Sequence, residues 1–406
     1  MADSLSTIRM TLTIENGRHV TFVKEAMSPN PGPYRVPTSR PGQWLYLIAN
    51  EGVIYSETLT RFVGLGEAGV AAYQAFEAGA TVEDLEAHTR RSAQGDTGEL
   101  KTLYALTQGE FPPEEPRATL PALQHPAVAN FEILDISVLV ELPAGASGSL
   151  CLDCFRSCPP SIRPAKAHVS ARHENHGWAI AINGHQILAG LEEEQLGLGY
   201  LHATRTLLYA ESRYDVAFHA AMVADDTCGL LLCAPREAGK STLAAYMVSL
   251  GLDFVTDEPA LLDLDTGCVS SLCLPASLKE PSWTILRDGW PNLEESPIHR
   301  RSDGTRIRLV HPPRAKFSAG ARQLSHILFP QYRPGATALA RRLSPLEALN
   351  RLNRGGMILT HQLPLNKFDA FLKMACALPA YALEYASLSE AASLIGALTK
   401  DGTGGT

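Results

Sequence analysis

The chain has 406 residues, 45% of them hydrophobic and 19% charged, which fits a folded protein of two or three domains. Its formal net charge of −8 excludes a broad nucleic-acid-binding face, which needs clustered Lys and Arg; a small basic pocket is still allowed. No run of about 18 uncharged apolar residues marks a membrane span. Residues Met1 to Ser6 lack the basic-then-apolar pattern of a signal peptide, so a cytoplasmic location is expected. The eight cysteines are too sparse for a secreted disulfide framework, and Cys228, Cys233, Cys268, Cys273 and Cys376 lie in apolar runs that predict small buried side chains.

The first third reads as a small α+β unit. Met10–Ile14 and His19–Val23 flank Glu15-Asn16-Gly17-Arg18, a strong hairpin signal. After a Pro-rich loop over 28–41, Trp44–Ile48 and Val53–Tyr55 predict a second hairpin across Asn50-Glu51-Gly52. A helix is expected over 67–77, with Val70, Tyr73 and Phe76 on one face and Gly79 where a C-terminal cap belongs. Thr81 is placed to cap another helix, with Glu83 and Asp84 in its first turn and Leu85 on its apolar face. The acidic, Pro-rich stretch 108–117 is the best linker.

Beyond it, Ile133–Leu142 predicts one strand and Trp178–Ile182 another, the latter followed by an Asn183-Gly184 turn. Cys151, Cys154 and Cys158 are closely spaced, with His168, His173 and His176 downstream. The spacing suits a metal less well than free surface thiols in a loop. From residue 228 the order becomes strand, glycine-containing loop, helix, strand. Gly229–Cys233 is a short buried strand, 241–250 a helix, and Phe254–Asp257 a second strand, with a third over 261–264. Arg300, Arg301, Arg306, Arg308, Arg314 and Lys316 form a basic cluster that either closes over phosphates or an acidic peptide, or is a solvated loop. Ile327–Pro330 is strand-like, Ser344-Pro345-Leu346-Glu347 is a capping box, and helices are expected over 368–377 and 388–398.

The chemistry concentrates in Ala234-Pro235-Arg236-Glu237-Ala238-Gly239-Lys240-Ser241-Thr242. A glycine-containing turn between a strand and a helix aims backbone N–H groups at phosphate, and the helix N-terminus adds positive potential. Lys240 would reach the β- and γ-phosphates and Ser241 would ligate Mg²⁺. Ala234 stands where such loops carry their first glycine, so a left-handed backbone there is disfavoured and the loop entrance must be built differently. Asp257 and Glu258 end the next strand, on the side where open α/β sheets bind ligands. Asp257 there could take a hydroxyl proton during phosphoryl transfer, or bind Mg²⁺. His219, in the apolar run 217–223, by itself reads as a core residue.

Together these residues resemble the HPr kinase/phosphorylase catalytic domain, and more closely the HPr-kinase-related proteins found beside peptide-modification genes. The match runs from His219 through Gly239-Lys240-Ser241-Thr242 and Thr256-Asp257-Glu258. It continues in Leu274–Lys279, His311-Pro312-Pro313, Ile327–Tyr332 and Pro379–Leu383, covering roughly 131 to the C-terminus. The resemblance implies an α/β P-loop domain of HPr-kinase/PEP-carboxykinase type. In it Lys240 and Ser241 bind phosphate and Mg²⁺, Asp257 is the general base, Glu258 stands beside it, and His219 hydrogen-bonds the acidic pair. Lys279 matches a basic position. The signature loop that follows the acidic pair in true HPr enzymes is not recognisable, so HPr itself is not the expected acceptor. The segment 42–91 resembles PqqD-like domains, small winged-helix units that capture a precursor peptide as an added strand.

The expected organisation is a PqqD-like domain over 1–107, a linker over 108–127 and a P-loop kinase domain over 128–406. The expected activity is transfer of the γ-phosphoryl of ATP, or another nucleoside triphosphate, to a Ser or Thr of a precursor peptide. Mg²⁺ would be the cofactor, with no nucleic-acid or membrane partner and with a homo-oligomer compatible. A kinase of a free amino acid or small metabolite, and a non-catalytic nucleotide-dependent binding module, are the alternatives.

Overall fold

The computed structural model describes residues 7–13, 19–25, 32–85, 97–108, 127–211, 213–235, 237–313, 317–318 and 320–401. The expected linker, the Asn16-Gly17 turn, Arg236, Arg314 and Lys316 lie outside the described residues or largely so. The chain forms two compact units. One comprises Met1–Glu115, Ser344–Asn350 and Gln362–Ala377, and the other Pro116–Leu343, Arg351–His361 and Leu378–Thr406. The fold is mixed α/β with several separate sheets. No helix among the described residues is long and apolar enough to cross a membrane.

In the first unit, Thr7–Thr13 and His19–Glu25 pair antiparallel. A four-stranded antiparallel sheet follows, in the order Tyr34–Pro37, Gln43–Ile48, Glu51–Ser56, Arg61–Leu65. The second hairpin turns at Ala49-Asn50 rather than at Asn50-Glu51-Gly52, because Ile48 pairs directly with Glu51. The helix Glu67–Glu77 covers the sheet with Val70 and Tyr73, and Gly79, at φ 97°, ends it as expected. Thr81 and Asp84 cap the next helical turn reciprocally, with Asp84 N–H on Thr81 Oγ1 at 3.2 Å. The helix Leu365–Ala377 belongs to this unit: Phe368 stacks on Tyr55 with ring centroids 3.7 Å apart, and Tyr46 donates to Asp369 at 2.7 Å. Ser344 and Glu347 make the expected capping box, at 3.0 and 3.2 Å.

The second unit opens with a five-stranded sheet built from Ala127–Ile133, Ile136–Leu142, Ala167–Glu174, Gly177–Ile182 and His185–Leu191. The single strand expected over 133–142 is therefore the end of one strand and the whole of its partner. The chain turns at Leu134-Asp135, with Leu134 at φ 58°, and no Gly or Asn announces the turn. Asn183-Gly184 does form the turn its residues require, at φ 49° and 80°. The helix Leu196–Glu211 lies on this sheet. Cys151, Cys154 and Cys158 are buried in its core, two of them on or next to the helix Ala146–Asp153. They are not surface thiols: all three are buried in the core that also holds Tyr200 and Leu201. Among the described residues no group of three or more His, Cys, Asp or Glu is placed to hold a metal ion.

A six-stranded sheet carries the loop that leads into Lys240. Its order is Asp253–Asp257, Ala220–Ala224, Gly229–Cys233, His326–Tyr332, Ala380–Tyr385, Leu339–Arg342. Gly229–Cys233, His326–Tyr332 and Ala380–Tyr385 are mutually parallel, while Ala220–Ala224 runs antiparallel between Gly229–Cys233 and Asp253–Asp257. The helix Lys240–Ser249 buries Leu243, Ala244, Met247 and Val248 on the sheet. The run 217–223 is not one strand. Val216–Phe218 joins a separate sheet beside Ala260–Asp263, and the chain crosses to the six-stranded sheet at His219.

Candidate active site

The strand Gly229–Cys233 is buried along its whole length, and the chain leaves it at Ala234-Pro235 to start the helix at Lys240. Ala234 avoids the left-handed region. Among the described residues of the loop the left-handed positions are Glu237 (φ 72°) and Gly239 (φ 89°), so the entrance is built without the first glycine. Gly239 also has no room for a side chain: a Cβ there would lie 2.6 Å from the Tyr385 hydroxyl and 3.2 Å from Tyr332 Cβ. The loop main chain is tied to the sheet, with Tyr332 N–H donating to the Ala238 carbonyl at 3.0 Å.

Lys240 is buried, and its Nζ donates to the His219 carbonyl at 2.9 Å. Burial lowers its pKa, while the carboxylates of Asp257 and Glu258 pull it back up. Ser241 Oγ donates to Asp257 Oδ1 at 2.8 Å, and Asp257 Oδ2 accepts the Ser277 N–H at 2.8 Å. Thr242, the last residue of the motif, continues the first turn of the helix. Asp257 is buried at the end of its strand, paired in register with Ala221, two residues after His219.

Glu258 sits just beyond, at φ 79°. Its Oε1 is hydrogen-bonded to His219 Nδ1 at 2.5 Å, and its Oε2 lies 3.5 Å from the Arg205 guanidinium. Burial pushes the Glu258 carboxyl up, but Arg205, the His219 bond and Lys240 outweigh it and hold the group at about 2. His219, Lys240, Ser241, Asp257 and Glu258 are thus brought together, although they come from three different segments. Lys279 Nζ pairs with Glu237 Oε1 of the loop at 3.1 Å. Among the described members of the basic cluster, Arg300 pairs with Glu194, Arg301 with Asp303, Arg306 with Glu280, and Arg308 with the carbonyls of 293, 294 and 296.

Arg205 is the site residue that sequence reasoning missed. From the helix Leu196–Glu211 it donates Nε to the Glu258 carbonyl and one terminal nitrogen to the Asp257 carbonyl, both at 3.0 Å. The forked guanidinium suits two consecutive carbonyls. Its only signal in the chain is a charged residue among apolar ones at helical spacing.

No protein-family model matches the chain, and a search of curated proteins finds no match. Among solved structures, the Hpr(Ser) kinase/phosphatase from Coxiella burnetii is similar over 46% of this chain and 98% of its own, at 12% identity and a TM-score of 0.22. A TM-score of 0.22 does not define a common fold, so the functional reading rests on the residues of this chain.

Proposed function

We propose that the chain is a P-loop phosphotransferase that moves the γ-phosphoryl of a nucleoside triphosphate to a hydroxyl. The observation that carries this is the meeting of three groups at the carboxyl ends of the parallel strands. The first is the helix N-terminus with Lys240, the second the Ser241 hydroxyl, and the third the Asp257 carboxylate 2.8 Å from it. Loop N–H groups and Lys240 hold the phosphates, with Lys240 exchanging the His219 carbonyl for phosphate oxygen. The pair Ser241 Oγ and Asp257 Oδ1, two oxygens and one charge, fits Mg²⁺, which keeps most of its waters and arrives with nucleotide rather than in a protein cage. When bound, it would neutralise charge on the transferring phosphoryl.

Asp257 is oriented by the Ser277 N–H and takes the acceptor proton as the acceptor oxygen bonds to phosphorus and the bond to the β-phosphate oxygen breaks. A carboxylate has about four lone-pair sites, so the hydrogen bonds from Ser241 and Ser277 leave room for that proton. Glu258, kept ionised, fixes His219 beside it. The acceptor we propose is a Ser or Thr of a precursor peptide held by the first unit. The exposed edge strand Tyr34–Pro37 supports this, since an extended peptide can add there as a further strand.

The test is mass spectrometry of candidate Ser/Thr peptides incubated with the full chain, ATP and Mg²⁺, read for a phosphate-sized gain. Lys240→Ala should abolish turnover. Asp257→Asn should cut it by about 10²–10⁴-fold while nucleotide still binds. Nucleotide binding without turnover toward any hydroxyl would favour a binding module instead, and full activity in Asp257→Asn would remove the base assignment.

A further inference from the structure

A phosphate cradle fixes only one end of a nucleotide, and the nucleoside beyond it needs a surface of its own. The strand His326–Tyr332 runs parallel to the phosphate-loop strand and ends at the same edge of the sheet, the edge at which open α/β sheets bind ligands. Its last residue, Tyr332, is locked to the loop by main chain and side chain together. Its N–H donates to the Ala238 carbonyl at 3.0 Å, and a Cβ added at Gly239, the residue before Lys240, would lie 3.2 Å from its own Cβ.

The residue is nevertheless 49% exposed, against 1% for Tyr385 beside it. Tyr385 meets it edge-on, with centroids 5.9 Å apart and planes at 68°, and donates its own hydroxyl to the Gly239 carbonyl at 3.4 Å. The Tyr332 ring is thus braced by a buried aromatic that is itself bonded to the loop, while the residue as a whole stays half exposed at the mouth of the cradle. Exposing a large ring that is already fixed in place gains nothing for the fold. It does provide a flat apolar face a short distance from bound phosphates, with little rotamer freedom left to lose.

We infer that Tyr332 is the platform on which the base of the bound nucleoside triphosphate stacks. This rests on the phosphotransferase reading above and names the nucleoside end of the same site. Stacking accepts any base, because every base has a π-face, so the platform favours nucleotide over free phosphate without choosing strongly among purines.

The experiment is calorimetric binding of Mg-ATP and of inorganic triphosphate to the full chain, as wild type, Tyr332→Ala, Tyr332→Trp and Lys240→Ala. Tyr332→Ala should weaken ATP about ten- to hundred-fold and leave inorganic triphosphate within about threefold, and Tyr332→Trp should restore ATP. Lys240→Ala should weaken both ligands, which ties the phosphates to the cradle independently of the base. Unchanged ATP affinity in Tyr332→Ala, or equal weakening of ATP and inorganic triphosphate, overturns the platform while leaving the cradle standing. A wild type that binds neither ligand overturns both.

Discussion

Two turns of the second unit each force a glutamate into the left-handed region, Glu237 at φ 72° in the loop before Lys240 and Glu258 at φ 79° after the strand Asp253–Asp257. Their surroundings are opposite. The Glu237 side chain is 68% exposed and pairs with Lys279, at 3.1 Å, across the surface. Glu258 is held by His219 and Arg205, and Arg205 also takes the two main-chain carbonyls at 257 and 258. An exposed ion pair contributes little, whereas a buried charge with one partner removed is costly. The same left-handed backbone is thus answered by a surface ion pair at Glu237 and by a largely buried network at Glu258.

The sharpest way to break this comparison is Arg205→Ala, which strands the Glu258 carboxylate and frees two carbonyls. It should destabilise the second unit by about 3–5 kcal/mol, read as a lower urea midpoint. Arg205→Lys should recover only part, because an ammonium cannot serve both carbonyls as a fork does. A midpoint unchanged in Arg205→Ala would mean the acidic turn holds itself.

Next in size is the effect of pH. The Glu258 carboxyl is depressed from 4.5 to about 2 in the folded protein, so its contribution is complete above about 4.5 and is lost as pH falls toward 2. Urea midpoints measured between pH 6 and 2 should therefore fall through that window, and Glu258→Gln should flatten the slope there. The same substitution to glycine in both turns then separates them. Glu258→Gly relieves the backbone but removes a charged hydrogen-bonding partner, for a net loss of about 1–2 kcal/mol. Glu237→Gly should stay within about 0.5 kcal/mol of wild type, since relief of the left-handed strain offsets the surface pair. Equal losses at the two positions would erase the distinction.

The strand–loop–helix order at 229–249 was legible because its signals are local: an apolar run, a glycine where the chain must turn left-handed, and an amphipathic stretch after it. Asp257 followed from the same grammar, one helix further on. Tyr332 was visible only as part of a strand-like run, and nothing near it in the chain says that its amide reaches Ala238. The Cys151–Cys158 run misled because close spacing of thiols says nothing about which way a helix turns them. The break at His219 was hidden because the apolar pattern continues unbroken while the backbone changes sheets.

By itself the sequence determined the kinds of element and the strand–loop–helix order around Lys240, since periodicity, caps and glycine positions act within a few residues of one another. Tertiary structure alone decided which distant side chains converge. It set Arg205 against carbonyls 52 and 53 residues away, and it assigned Gln362–Ala377 to the first unit, where Phe368 stacks on Tyr55. Such contacts depend on how buried faces pack against each other, and burial is a property of the assembled layers that no short stretch of chain carries.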